Sequence, residues 1–127
     1  MLLSANIANA SSTNQTPIWG SSMRNTEGFE ATMPPLTQSE RITYWAHQFN
    51  VNPNDMADVL MCESRWKQSA RGALDEIGIA QFRPATFKEF SKKYGWEMDI
   101  YNENDQLKLM SKMFSDGFQY LWTCWKK

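Results

Sequence analysis

The sequence predicts a mainly α-helical single domain, and three observations carry that prediction. Apolar residues after position 36 recur at three- and four-residue spacing, residues suited to helix caps punctuate these runs, and no stretch alternates convincingly as a strand would. With 127 residues the chain has room for one compact domain, and 13% aromatic content with eight methionines supplies its core.

The first helix is predicted over residues 38–49. Thr37 and Glu40 have the spacing of a capping box, and Ile42, Trp45, Ala46 and Phe49 follow on one face. Asn52-Pro53-Asn54-Asp55 opens the second helix with a cap, a proline at the first helical position and an acid near the positive end of the dipole. Its residues Met56, Val59, Leu60 and Glu63 fall at i, i+3, i+4 and i+7, so the glutamate continues the stripe that faces the core. The third helix begins at Pro84, carries Phe87, Phe90 and Tyr94, and ends at Gly95. The fourth starts at Asn104 and Asp105, with Leu107, Met110, Met113 and Phe114 as its core stripe. The bend from Ala73 to Phe82 has room for a short β-hairpin.

Two segments divide the chain, residues 1–35 and 36–127. The first holds 13 Ser, Thr or Asn and closes on Pro34-Pro35, the composition of a disordered stretch. Within it Ala8-Asn9-Ala10 has the small-residue pattern of a signal-peptide cleavage site, yet the positively charged start is missing, so a remnant signal peptide and a plain polar tail both stay open. Cationic and acidic residues nearly balance, 13 against 14, which argues against a nucleic-acid binder. No apolar run reaches the roughly 18 to 20 residues that a membrane-spanning helix needs.

A carboxyl on an apolar face loses hydration of its charged form, which raises its pKa and lets it carry a proton near neutral pH, as a general acid must. That makes Glu63 the candidate catalytic residue. The competing reading is a buried glutamate paired with Arg65, Lys67 or Arg71, and periodicity alone leaves both standing.

The downstream residues add to this. Glu63-Ser64-x-Trp66 is followed by Ala70, Gly72-Ala73, Gly78-Ile79-Ala80-Gln81-Phe82 and then Pro84-x-Thr86. This ordered set resembles the lysozyme-like lytic transglycosylases of the SLT type and the goose-type lysozymes, over about residues 38–115. The resemblance implies a lysozyme-like fold and cleavage of the β-1,4 bond between N-acetylmuramic acid and N-acetylglucosamine in peptidoglycan. It makes Glu63 the essential acid and base, gives Ser64 a supporting or substrate role, and puts Gln81 in contact with substrate, with Trp66, Thr86 and Trp122 as further groove candidates. It calls for no cofactor, no metal and no partner beyond glycan strands, and for a monomer. Gly72 and Gly78 suit positive φ or close approach of a sugar.

Inverting hydrolysis would want a second carboxylate, and Asp75 and Glu76 are the available candidates, though solvated loop charges are the simpler account of both. Lytic transglycosylation leads by resemblance; a hydrolytic muramidase and a non-catalytic glycan-binding module are the alternatives. The Tyr-Asn-rich segment that completes the cleft in many lytic transglycosylases has no counterpart here, and Trp122-Thr123-Cys124-Trp125 stands in its place. A bridge between Cys62 and Cys124 would pin that tail to the catalytic helix and fit a secreted or periplasmic, wall-associated protein, whereas two buried thiols would fit a cytoplasmic one. Two cysteines and the distant His47 form no recognised zinc spacing and no evident nucleophile–base pair.

Overall fold

The computed structural model describes residues 35–126, so the polar segment and the leader pattern read in residues 1–35 lie, apart from Pro35, outside the described residues. Helix α1, Gln38–Gln48, begins at the expected capping box. The Thr37 hydroxyl accepts from the Glu40 N–H at 3.1 Å, and the Glu40 carboxylate accepts from the Thr37 N–H at 2.8 Å. Helix α2, Pro53–Ser64, starts after Asn52, whose side chain accepts from the Asn54 N–H at 2.8 Å. It stops because Arg65 and Trp66 both take left-handed backbone, with φ of 55° and 64°.

Helix α3, Pro84–Tyr94, runs from the expected proline to a left-handed Gly95 at φ 72°. Helix α4, Glu103–Ser115, begins earlier than Asn104-Asp105: the cap is Asn102, whose side chain accepts from the Asp105 N–H at 3.0 Å. Asn102 and Asn104 are equally good caps by residue type, so residue type alone does not place the start, and the Asp105 carboxylate is taken by the Asp99 N–H at 2.9 Å. A short 3-10 turn, Gln119–Leu121, follows.

Helix α1 packs against α2 and α4, and α3 packs against α4. Helix α4 is therefore central, and Leu107, Leu109, Met110 and Met113 on it are fully buried, joined by Ile42, Met56 and Leu60 from its neighbours. The expected stripe is all present, with Leu109 added because the central helix is covered on more than one side.

Between α2 and α3 the chain makes isolated antiparallel bridges, Arg71 with Ile77 and Ile77 with Phe82, and no named strand occurs among the described residues. Asp75, Gly78 and Gln81 all have positive φ, so the segment turns too often for a hairpin ladder. Its residues Ile77–Ala80 are nonetheless buried, and buried backbone needs partners. Side chains supply most of them. Gln68 accepts from the Ile79 N–H at 2.9 Å, and the Ser64 hydroxyl donates to the Ile79 carbonyl at 2.6 Å. Gln106 accepts from the Ala80 N–H at 2.9 Å and donates to the Ile77 carbonyl at 2.9 Å, while the Trp122 indole donates to the Ala80 carbonyl at 2.8 Å. Gly78 is required here by its φ of 85° and because a Cβ would collide with the Gln106 carboxamide.

The Cys62–Cys124 disulfide is formed, with Cα atoms 6.1 Å apart. Closing a loop of 62 residues restrains the unfolded chain by about 4 kcal/mol on the chain-entropy account. No helix of the described residues is long and apolar enough to cross a membrane.

Gln106 is wholly buried and also donates to the Ile100 carbonyl at 2.7 Å, so replacing it strands the Ala80 N–H and takes one of two donors from each of the Ile77 and Ile100 carbonyls, which keep Phe82 and Gln68. Gln106→Leu is expected to cost roughly 2 kcal/mol, since one unsatisfied buried group costs about 1 to 3 kcal/mol. Denaturant unfolding measures this, and a loss below about 1 kcal/mol would show that the loop does not rely on it.

Candidate active site

Glu63 lies in the last turn of α2, where the helix meets the buried loop and the C-terminal tail. Ser64, one residue on, takes the fully core-facing position and Glu63 the edge of the stripe, so the carboxylate is half-buried and open on one side. Its Oε2 accepts from the Cys124 N–H at 3.2 Å and from the Thr123 hydroxyl at 3.4 Å. No ion pair to Arg65, Lys67 or Arg71 is present among the described residues.

Burial raises the Glu63 pKa above its ordinary value, because water is stripped from the charged form. The hydrogen bonds from Cys124 and Thr123 oppose this by favouring the anion, and the negative charge of Glu76 adds to the rise. The free carbonyls at the end of α2 also disfavour a negative charge there.

The carboxyl opens into a cleft of about 300 Å³. Phe82, Met113, Leu121 and Trp122 give it apolar surface, while Glu76, Gln81, Arg83, Thr86 and Thr123 bring polar groups. The structure thus gathers Glu63, Glu76, Gln81, Thr86 and Trp122 from the sequence-derived candidates. Gln81 has φ of 53°, and its amide N–H group donates to the Gly78 carbonyl at 2.8 Å and the Ala70 carbonyl at 3.3 Å, which leaves its oxygen as the uncommitted end. Gly72 fits close approach, since a Cβ there would collide with the Glu76 carboxylate.

Three candidates stand elsewhere. The Ser64 hydroxyl is buried between the Leu60 and Ile79 carbonyls, so it secures the loop and faces no cleft. Trp66 donates from its indole to the Ala57 carbonyl at 3.0 Å and packs on the core, outside the cleft lining. Asp75 is exposed on the outer bend and is also absent from the lining. Sequence reasoning missed Arg83 and Leu121, and it offered Thr123 only as part of the tail that forms the cleft wall, without a contact to Glu63. The Cys62–Cys124 pairing was the available signal for Thr123, because it brings the residue before Cys124 beside the residue after Cys62.

A helical domain with a half-buried glutamate in the last turn of its second helix, open to a cleft, is the arrangement that the resemblance of residues 63–86 implied. The chain matches the transglycosylase SLT domain over residues 40–126 and belongs to that family. Comparison with curated proteins and with solved structures gave no match.

The raised Glu63 pKa fixes the sign of a stability effect. The folded state holds this proton at pH values where the unfolded chain has released it, so stability falls as pH rises from the ordinary 4.5 through the raised value, and is level beyond it. Glu63→Gln lacks that loss. Its denaturation midpoint is expected to rise relative to wild type as pH is taken from below 4.5 to neutral, and a pH-independent difference would contradict the assignment.

Proposed function

We propose that this protein cleaves the β-1,4 bond between N-acetylmuramic acid and N-acetylglucosamine in peptidoglycan by lytic transglycosylation, with Glu63 as both acid and base. Membership of the SLT family supports a lytic transglycosylase-type activity on peptidoglycan. The observation that carries the reading is the Glu63 carboxyl itself, half-buried, raised in pKa and lining the cleft.

Protonated Glu63 donates to the glycosidic oxygen, the bond to the muramic C1 breaks, and positive charge develops at that carbon. The Glu63 carboxylate then takes the proton from the muramic C6 hydroxyl, whose oxygen closes on C1. The product is an anhydro sugar, and the enzyme ends with its proton restored. Gln81 and Thr86 are the groups we assign to sugar contacts, and Trp122, Leu121 and Phe82 offer apolar surface to sugar faces. The disulfide and the wall substrate of the family support action outside the cytoplasm, secreted or periplasmic.

One observation favours a second reading. Glu76 lines the same cleft, and its charge acts on Glu63. Of the two sequence-derived second carboxylates it is the one in the cleft lining, and inverting hydrolysis calls for a second carboxylate roughly 6.5 to 9.5 Å from the first.

Glu63→Gln is expected to cut release of soluble muropeptides from purified sacculi by about 10²-fold or more, with folding and glycan binding retained. Mass spectrometry of the wild-type products is expected to find anhydro ends, lighter by one water than hydrolytic ends. Hydrolytic ends that vanish in Glu76→Gln would establish the second reading, and wild type that binds sacculi but releases nothing would make the protein a glycan-binding module.

A further inference from the structure

Both hydrogen bonds to Glu63 fall on one oxygen, Oε2. An oxygen that accepts two hydrogen bonds serves as the carbonyl end of a protonated carboxyl, so the acidic hydrogen belongs on Oε1. The groups that impose this come from a tail held on either side. Trp122 is anchored before them by its indole bond to the Ala80 carbonyl and by edge contacts with Phe82 and Phe114 at 5.5 and 5.3 Å between ring centroids. Cys124 is anchored behind them by its bridge to Cys62, the neighbour of Glu63 in the chain. Thr123 lies between two fixed points, exposed to solvent and lining the cleft.

We propose that Thr123 and the Cys124 N–H, held in place by the Cys62–Cys124 bridge, are positioning groups that direct the Glu63 proton onto Oε1 for transfer to substrate. This rests on the reading of Glu63 as the acid. The Thr123 hydroxyl does what a packing residue would not: it reports on the protonation of its partner. The other charged groups lining the same cleft are Glu76 and Arg83, and both stay intact in the variants that test the proposal.

The test is an NMR titration of the Glu63 carboxyl carbon in the full chain. Thr123→Val keeps the bridge and the side-chain shape but removes one bond to the anion, so the midpoint moves up by roughly half a pH unit, and Thr123→Ser restores it. In the Cys62→Ser/Cys124→Ser double variant, hydrogen exchange of the amide at position 124 quickens by about tenfold or more as its bond to Glu63 loosens. Muropeptide release then falls in kcat on the order of tenfold, with a smaller change in KM. An unmoved midpoint in Thr123→Val overturns the proposal, as does unchanged exchange in a folded double variant. Should the double variant not fold, Thr123→Val decides alone. Wild type that releases no muropeptide defeats the catalytic reading, yet the titration still reads the hold of the tail on the carboxyl; release with an unmoved midpoint defeats only the positioning role.

Discussion

A buried stretch of chain without regular hydrogen bonding is the constraint that organises this molecule. Residues 77–80 are buried, and the N–H and C=O groups of Ile79 and Ala80 find no backbone partner there, where each would be costly to leave unmade. Four side chains from four places answer them: Ser64 at the end of α2, Gln68 just past it, Gln106 from the central helix and Trp122 from the tail. The same four bonds fix where the helix end, the turn and the tail meet. The cleft is the space that this meeting leaves, so the geometry of the site follows from satisfying the loop.

The electrostatic character of Glu63 follows from the same junction. The side chain is covered enough to resist ionisation, and it meets hydrogen-bond donors without a cation. A lysine or arginine at that point would hold the carboxyl as an anion and remove its use as an acid. Two N–H and O–H dipoles moderate the rise in pKa without reversing it, because burial is the larger effect.

Much of this was legible in the sequence because it is local. Capping boxes, prolines at first helical positions and the glycine after Tyr94 act over three or four residues, and all of them are realised. The partial burial of Glu63 was also readable, since helical periodicity makes it continue the core-facing stripe, although Ser64 takes the fully buried place and leaves Glu63 at the edge. The hairpin suggestion failed on left-handed residues at 75 and 81 that no pattern of types announces. Ser64 was given a supporting or substrate role by resemblance and Trp66 was offered as a groove candidate, but successive residues on a helix point about 100° apart, and the left-handed pair that ends α2 turns the chain away. Gln106 hid in an apolar run as an ordinary polar residue, because its partners lie 26 and 29 residues away. The role of Thr123 depended on a pairing of cysteines that spacing allowed without requiring.

That pairing joins positions 62 and 124, and the residues touching the carboxylate come after every helix in chain order. Packing α1 on α4 already closes a loop of this size, since Arg41 meets Glu103 62 residues further on, so the acid meets its companions by a second closure that chain entropy opposes about as much as the one the helices require. Shape and reactivity thereby rest on two separate closures of equal span, one completing the helical core and the other the acid.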